Sequence, residues 1–403
     1  MELRKDFKQT DIGLIPRDWE VMQLGEIGKF KNGINKNKDE FGFGYPFVNL
    51  MDVFGKSIVI PDSISGLVNS SKTDRELYDL RKGDVLFVRS SVKPNGVGLT
   101  SVVHTNLENT VFSGFLIRFR DNDYFDLRFK IYCFYEEKFR KRLIANSTVS
   151  ANTNINQEAL KKLYVVFPPN KKEQKAIAQA LSDVDELINS LEKLIAKKRN
   201  IKQGTMQQLL TGKKRLPGFS GEWETKKIGE IAVIKKGQLI TEKTCIPGNI
   251  PVIAGGKEPA YYHNVANRHS ETITISASGA NAGYISYHIT PIFASDCSTI
   301  EEDQNYSLQF IYYSLQIMQE KIYKMQTGGA QPHIHPRDIG PIEISIPSIE
   351  EQQKIALIIS DLDKEISIIE SERTKYKSIK QGMMQELLTG KTRLVDESKS
   401  SIQ

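Results

Sequence analysis

Cysteines and long apolar runs are scarce in this sequence. Its 403 residues include only three cysteines, Cys133, Cys245 and Cys297, which are widely spaced and form no Cys-x-x-Cys pair. This pattern argues against a disulfide framework and a zinc site, and it predicts a reduced, cytoplasmic protein. No apolar run is long enough to span a bilayer, and the charged first residues do not resemble a signal peptide.

Sequence motifs of catalysis are also missing. The glycine pair Gly42 and Gly44 lacks the preceding buried strand and the following acidic residue of a dinucleotide-binding loop. Gly212 and Gly390 each precede a lysine, but neither has the upstream glycine of a phosphate-binding loop. We therefore expect that the chain is not an enzyme, and we predict no catalytic residue.

Two clusters have residue types that occur in metal or nuclease sites, and each has a simpler interpretation. Glu136 and Glu137 lack an aspartate at a suitable spacing, so a solvated helix face is favoured. His333 and His335 would lie on one side of a strand, but no third ligand is near them in the sequence. We predict a turn or a nucleic-acid contact there, and no metal site.

What the sequence does contain is an internal duplication. Residues 169–216 align without a gap with residues 347–394, and roughly half of the aligned positions are identical. Both copies include Leu-Leu-Thr-Gly-Lys, and a weaker repeat surrounds Trp19 and Trp223. The two intervening segments do not resemble each other. The pattern therefore predicts one scaffold that carries two different domains.

The duplicated segments are predicted to be helical. Each begins with a capping pattern after a proline and ends at a glycine, and second start signals at Ser182 and Ser360 predict a short helix before each long one. Apolar residues follow the 3-4 spacing of a coiled-coil seam. The seam residues are Leu181, Val184, Ile188, Leu191, Ile195, Ile359, Leu362, Ile366 and Ile369. Two amphipathic helices on separate domains are the alternative.

Two glycines lie at equivalent places inside the predicted long helices. Gly204 and Gly382 cost about 1 kcal/mol each relative to alanine in a helix interior. Their recurrence suggests a close helix crossing, and a tolerated accident is the alternative.

The two dissimilar segments are predicted to be α+β domains with a β-rich core and a late helix. Basic and polar side chains recur in both, and with a net charge of +6 they suit phosphates and base edges. The candidate DNA-binding residues are Lys36, Arg89, Ser91, Lys93, Asn95, Asn154, Ser278, Asn281, Tyr284, Gln331 and His333. Solvated lysine faces and glycine-rich connecting loops are the alternatives.

In their order and duplication, these motifs resemble the specificity subunits of type I restriction-modification systems. The resemblance covers nearly the whole chain. It is carried by Ile-Pro-Arg-Asp-Trp at 15–19, Leu-Pro-Gly-Phe at 216–219, the Glu-Gln pairs at 173–174 and 351–352, and the Leu-Leu-Thr-Gly-Lys ends. It implies two target-recognition domains separated by two long helices, which form an antiparallel coiled coil with pseudo-two-fold symmetry.

The resemblance and the repeat boundaries together predict five segments. These are a first target-recognition domain at 1–168, a helical spacer at 169–216, a second target-recognition domain at 217–346, a second helical spacer at 347–394 and a disordered tail at 395–403.

The resemblance also implies a function. Such a subunit is non-catalytic, reads a bipartite site in double-stranded DNA, and binds neither a cofactor nor a membrane. It recruits two methylation subunits that use S-adenosylmethionine, and up to two restriction subunits that use ATP and Mg²⁺. Two other classes stay open: a fused DNA methyltransferase or nuclease, and a coiled-coil scaffold that binds only proteins.

Overall fold

The computed structural model describes residues 6–328 and 331–394 of the chain. The chain forms two compact units, one made of Met1–Ser190 with Arg373–Gln403 and the other of Leu191–Glu372. Each unit contains a β-rich domain and a segment of each of two long helices. The predicted α+β class, with two such domains and two long helices, is confirmed.

The domain of the first unit is built from short strands and short helices. In chain order these are β1 (Phe7–Thr10), β2 (Gly13–Pro16), β3 (Glu20–Gln23), α1 (Leu24–Ile27), β4 (Gly28–Asn32), β5 (Phe41–Val48), α2 (Leu50–Val53), β6 (Ile58–Val59), β7 (Gly66–Val68), α3 (Lys72–Leu77), β8 (Val85–Val88), β9 (Ser90–Ser91), β10 (Thr100–Val103), β11 (Val111–Phe112), β12 (Leu116–Asp121), α4 (Lys130–Cys133), α5 (Glu137–Ala145), β13 (Thr148–Val149), β14 (Thr153–Asn154), α6 (Gln157–Lys161) and β15 (Tyr164–Phe167), with 3₁₀ turns at Lys38–Glu40, Pro61–Ser63 and Pro94–Gly96.

Strand β8 lies at the centre of this domain. Its sheet has the order β4-β12-β8-β10-β6, and β8 is antiparallel to both neighbours. All four residues of β8 are buried, because successive side chains point to opposite faces and both faces are covered. Val85 and Phe87 pack into one core with Phe119. Leu86 and Val88 pack into a second core on the other face.

Smaller sheets complete the first domain. One has the order β11-β5-β7, and another has the order β13-β14-β9. The antiparallel pair β3 and β15 joins the beginning of the domain to its end, directly before the first long helix. This pairing brings the first tryptophan repeat next to the start of the first helical repeat.

The domain of the second unit repeats this plan with fewer elements. In chain order these are β16 (Glu224–Lys227), α8 (Ile228–Ile231), β17 (Lys235–Lys236), β18 (Pro247–Ile253), β19 (Tyr261–His263), β20 (Thr272–Ser276), β21 (Ile285–His288), β22 (Phe293–Ala294), β23 (Cys297–Glu301), α9 (Leu308–Ile317), α10 (Gln319–Tyr323), α11 (Pro336–Ile339) and β24 (Glu343–Ile346).

Strand β20 is the counterpart of β8. Its sheet has the order β17-β23-β20-β21, a second sheet has the order β19-β18-β22, and β16 pairs with β24 to close the domain. Ile273 and Ile275 of β20 enter the apolar core. The alternate residues Thr272, Thr274 and Ser276 are also buried, so one face of this central strand is polar.

The long helices α7 (Lys171–Leu209) and α12 (Ile349–Leu387) are each continuous over 39 residues. The prediction of a short helix before each long one is therefore wrong, since Ser182 and Ser360 both lie inside the helices. The Ser360 hydroxyl donates a hydrogen bond to a carbonyl of the preceding turn, at 3.0 Å, so it needs no capping role. The apolar spacing continues through both serines, and packing overrides the local start signal.

Within each unit, the segments of α7 and α12 run antiparallel. In the second unit, Lys198 lies 2.6 Å from Glu365 and Lys202 lies 2.6 Å from Asp363, so position rises along α7 as it falls along α12. Of the seam residues, Leu181, Ile188, Leu191, Ile195, Ile359 and Ile366 are buried, and Val184, Leu362 and Ile369 are half-buried. The pseudo-two-fold axis concerns both units together and stays a prediction.

The ends of the long helices follow the predicted pattern. Gly212 and Gly390 have φ angles of 69° and 67°, the left-handed conformation that glycine adopts without strain. The predicted disordered tail, residues 395–403, lies outside the described residues.

The glycines inside the helices have a different environment from the predicted one. A Cβ atom built on Gly204 or Gly382 would meet no neighbouring atom within 4 Å, apart from the adjacent helix backbone. The predicted close helix crossing at these positions is therefore wrong. The two glycines lower helix stability without giving a packing contact in return.

We expect Gly204→Ala and Gly382→Ala each to stabilise the chain by about 0.5–1 kcal/mol, because alanine lowers the entropy of the unfolded chain and fits the open space. Differential scanning calorimetry should show a higher unfolding midpoint. Gly390→Ala is the control, since its Cβ would lie 2.4 Å from Pro16 Cγ, and it should lower the midpoint. An unchanged or lower midpoint for both helix variants would contradict the prediction.

Candidate nucleic-acid interface

Residues 89–97, the β8 loop, carry four of the predicted DNA-binding residues, and a fifth lies on the strand beside them. β9 pairs antiparallel with β14, which places Asn154 opposite Ser90. The carbonyl oxygen of Arg89 accepts a hydrogen bond from the backbone N–H of Ile155, at 3.0 Å. Strand pairing thus brings Asn154 next to Arg89 and Ser91, although more than 60 residues separate it from them in the sequence.

The rest of the β8 loop is fixed by a half-buried arginine. Arg140 Nη2 donates hydrogen bonds to the carbonyl oxygens of Asn95, at 3.0 Å, and Val97, at 2.8 Å. Burial lowers the pKa of Arg140, but a guanidinium stays protonated at neutral pH. The side chains of Lys93 and Asn95 are exposed. The loop therefore has a fixed backbone and accessible polar side chains.

Two predicted cations of the first unit already have partners. Arg89 Nη1 donates a hydrogen bond to the carbonyl oxygen of Gly114, at 3.2 Å. Lys36 Nζ lies 3.2 Å from a carboxylate oxygen of Asp74 and 3.2 Å from one of Glu40. Asp74, and then Glu40, raise the pKa of Lys36 through these hydrogen bonds. Lys36 thus belongs to an ion-paired cluster with a net negative charge.

Residues 277–284, the β20 loop, play the corresponding part in the second unit. Ser278 forms an antiparallel bridge with His333, and the N–H of Gly279 donates to the carbonyl oxygen of Pro332, at 3.0 Å. The Ser278 hydroxyl donates to the Asp296 carboxylate. These contacts bring the β20 loop next to the polar stretch that includes Gln331 and His333, as strand pairing does in the first unit.

A tight turn positions the remaining candidates of the second unit. The backbone N–H of Tyr284 donates to the carbonyl oxygen of Asn281, at 2.9 Å, so both side chains leave the same turn. Lys257 Nζ lies 5.3 Å from the centroid of the Tyr284 ring, a cation–π distance. Tyrosine, lysine and asparagine are side chains that contact phosphates and bases in nucleic-acid complexes.

The two histidines before α11 form a stacked pair. The His333 and His335 rings are 6.2 Å apart with an interplanar angle of 3°. Within residues 6–328 and 331–394, no group of three or more histidine, cysteine, aspartate or glutamate side chains could hold a metal ion.

Sequence reasoning missed the residues that hold these loops. Arg140, Asp296 and Lys257 belong to no motif, and each contacts a loop residue through the fold rather than through sequence spacing. Only the folded positions of the helices and strands reveal them.

The duplicated helices meet the domains through duplicated contacts, which the sequence analysis also missed. In the first unit, the Tyr132 hydroxyl donates to Asp185 of α7, at 3.0 Å, and Lys380 of α12 lies 2.6 Å from the same aspartate. Burial and the Asp185 charge raise the pKa of Tyr132.

The second unit contains the same arrangement at the equivalent repeat positions. The Tyr313 hydroxyl donates to Asp363 of α12, at 3.0 Å, and Lys202 of α7 lies 2.6 Å from Asp363. Burial and Asp363 likewise raise the pKa of Tyr313. In each unit, one aspartate therefore links the β-rich domain to both helices.

Two arginine–glutamate pairs complete the scaffold. In the first unit, Arg393 Nη2 lies 2.8 Å from Glu173, and its Nη1 lies 2.8 Å from Asp18. Its guanidinium also lies 5.9 Å from the Trp19 ring centroid. Glu173, which is only 2% exposed, and Asp18 raise the pKa of Arg393.

The second unit repeats this pair around the second tryptophan. Arg215 makes a bidentate contact with Glu351, at 2.9 and 2.7 Å, and Trp223 Nε1 donates to the same carboxylate at 3.3 Å. The Glu351 side chain is 1% exposed. Each pair joins the residues after one long helix to the start of the other.

The domain plan, the paired loops and the duplicated helical contacts define a two-domain scaffold with polar loops. Residues 16–203 and 220–381 match the family described as type I restriction modification DNA specificity domain. The chain therefore belongs to the type I restriction-modification DNA specificity family. No helix within the described part of the chain is long and apolar enough to cross a membrane.

Relatives agree with this assignment over nearly the whole length. The chain is 27% identical to the putative type I restriction enzyme MjaX specificity subunit of Methanocaldococcus jannaschii, over 97% of each chain. It is 24% identical to the putative type I specificity subunit S.MgeORF438P of Mycoplasma genitalium, over 80% of this chain and 94% of that one.

Solved structures support the fold. The crystal structure of the type I restriction-modification S subunit from M. genitalium matches with a TM-score of 0.63 and 20% identity, over 96% of this chain and 98% of that one. The HsdS subunit from Thermoanaerobacter tengcongensis matches with a TM-score of 0.51 and 17% identity, over 94% and 98%.

We expect Arg393→Ala to destabilise the chain by about 2 kcal/mol, because the buried Glu173 carboxylate loses its main partner; Arg393 itself is partly exposed, which reduces the loss. Urea denaturation should show the change. The double variant Arg393→Ala/Glu173→Gln should recover part of the loss.

Lys391→Ala is the matched control, since Lys391 and its partner Glu386 are both exposed, and it should change stability little. A double variant that is no more stable than Arg393→Ala would contradict this explanation.

Proposed function

We propose that this chain is a non-catalytic subunit that reads a DNA sequence in two halves, one half for each recognition domain. The observation that carries the proposal is the pair of equivalent loops. Both follow the central strand of a domain with the same plan, and both are paired with a second polar stretch. Both loops contain serine and asparagine, but Arg89, Val92 and Lys93 of the β8 loop have no counterpart in the β20 loop, as expected for two readers of different sequences.

The physical basis is a fixed backbone with accessible polar groups. Arginine, lysine, asparagine and serine can hold phosphates and read base edges, and fixed loops limit the entropy lost on binding. The net charge of +6 favours a polyanion and predicts that binding weakens as salt concentration rises.

The proposal assigns the chemistry to partner subunits. Two methylation subunits would bind S-adenosylmethionine and modify adenine, and up to two restriction subunits would use ATP and Mg²⁺ to cleave unmodified DNA. The support is the duplicated scaffold, since equivalent helical surfaces occur twice in one chain and suit two copies of one partner.

The first test is an exchange of one reader. Replacing residues 28–161 with the corresponding segment of another family member moves β4, the β8 loop and β14 together, and leaves α7 and α12 intact. We expect one half of the methylated sequence to change and the other half to stay, when the methylome of a host expressing the complex is sequenced.

The matched control exchanges residues 232–340, which should change the other half only. If one exchange alters both halves, or neither exchange alters the methylated sequence, then the two-reader proposal fails.

The alternatives from other classes give different results. We expect rigorously purified chain to transfer no methyl group from S-adenosylmethionine to DNA and to cleave no DNA, because it contributes recognition only. Radiolabelled methyl transfer and a plasmid nicking assay measure both activities, and turnover by the chain alone would favour a fused enzyme. A protein-binding scaffold would instead assemble with its partners but show no sequence preference in a gel shift.

A further inference from the structure

The β8 loop borders a cleft whose walls are apolar and exposed. The apolar cleft measures about 530 Å³, and its apolar walls are Leu50, Met51, Phe54, Val92 and Phe115. The exposed fraction is 70% for Met51, 81% for Val92 and 60% for Phe115. Contiguous exposed patches of large apolar side chains are found at binding sites more often than expected by chance.

The backbone around the cleft is held in place. The carbonyl oxygen of Phe115 accepts a hydrogen bond from the backbone N–H of Arg89, at 2.8 Å, and the N–H of Phe115 donates to the Ser113 hydroxyl at 3.2 Å. A Cβ atom on Gly96 would lie 3.0 Å from the Phe54 ring, so the loop packs directly on that wall. The cleft is thus pre-formed, which lowers the entropy cost of binding.

Polar and basic groups share the cleft with these apolar walls. Ser91, Lys93, Asn95 and Asn152 line it as well, and Lys93 contributes a positive charge at its edge. An apolar surface with a cationic, amide-bearing rim is complementary to a polyanion that carries apolar groups. In the major groove of DNA, the apolar group on a base edge is the C5-methyl of thymine.

The β20 loop of the second unit has a different chemistry. Between residues 277 and 284, no large apolar side chain is exposed, and the accessible groups are those of Ser278, Asn281 and Tyr284. The β8 loop therefore contributes an exposed apolar side chain, Val92, beside its polar residues, whereas the β20 loop contributes none.

We propose that the apolar cleft binds thymine C5-methyl groups of the first half-site, and that Val92 and Phe115 determine specificity by this contact. The inference rests on the proposed function and extends it. Lys93 and Asn95 lie at the rim and hold the neighbouring phosphate or base edge, whereas the β20 loop presents hydrogen-bonding groups to its own half-site.

Replacing thymine by uracil tests the idea, because it removes the methyl group and leaves every hydrogen-bonding group unchanged. The complex of this chain with its methylation subunits is titrated with duplexes in which each thymine of the first half-site, on either strand, is replaced in turn. We expect at least one replacement to weaken binding about three- to tenfold, the scale of one or two buried methyl contacts.

Variants connect the effect to the cleft. Val92→Ser and Phe115→Ser should each bind thymine and uracil duplexes with nearly equal affinity, and circular dichroism should show unchanged folding since both residues are exposed. Leu77→Ser is the matched control, because Leu77 is an exposed apolar residue of the same domain that does not line the cleft, and it should keep the discrimination. Neither cleft variant should alter the response to uracil in the second half-site.

Each contrary result has a distinct meaning. Wild-type complex that binds uracil and thymine duplexes equally, while still preferring its half-site, overturns the inference and leaves the proposed function intact. Variants whose assembly with the methylation subunits is weakened in mass photometry, while the complexes that do form keep thymine discrimination, identify the cleft as a protein contact and also overturn it. A complex without any sequence preference overturns the proposed function and the inference together.

Discussion

A buried carboxylate at the first turn of each long helix is the constraint on which the rest of the structure depends. Glu173 and Glu351 are nearly inaccessible to water, and a lone ionised carboxylate there would cost several kcal/mol. Each is neutralised by an arginine that follows the other long helix, Arg393 or Arg215. Each unit is therefore complete only when the start of one long helix meets the residues that follow the other. This contact also fixes the recognition domain of the unit, because its chain is joined to one of these segments.

Much of this scaffold could be predicted from the sequence, because the duplication shows the same local pattern twice. The seam spacing, the glycine helix ends and the α+β class all arise from local periodicity and backbone preference, and such signals survive folding. The predictions of a helix start at Ser182 and of a close helix crossing at Gly204 were wrong for different reasons. At Ser182, packing along the seam overrides the local start signal. The crossing at Gly204 was inferred only from the recurrence of the glycine, and the space beside it is open.

The candidate interface was predictable only in part. Polar loops after strands are visible in sequence, so the β8 and β20 loops were found. Their pairing with β14 and with His333 depends on sheet register, which connects residues that are distant in the chain. The role of Arg140 and the carboxylates that neutralise Lys36 also depend on tertiary contacts. Exposure of an apolar residue such as Val92 has no sequence signature, since a valine after a strand is ordinarily expected to be buried.

The aspartate–lysine contacts have a consequence for assembly. Asp185 and Lys202 of α7 correspond to Asp363 and Lys380 of α12, and each aspartate pairs with the lysine of the other helix. Each helix thus carries both halves of the contact and is self-complementary in charge, as in an isologous interface. Charge alone does not discriminate between the helix of the same chain and that of a second chain. Because both helices belong to one chain, each meets the other at a high effective concentration, and this favours pairing within the chain. Helix exchange between chains therefore becomes favourable where the chain is cut between the two helices, or where the chain concentration is very high.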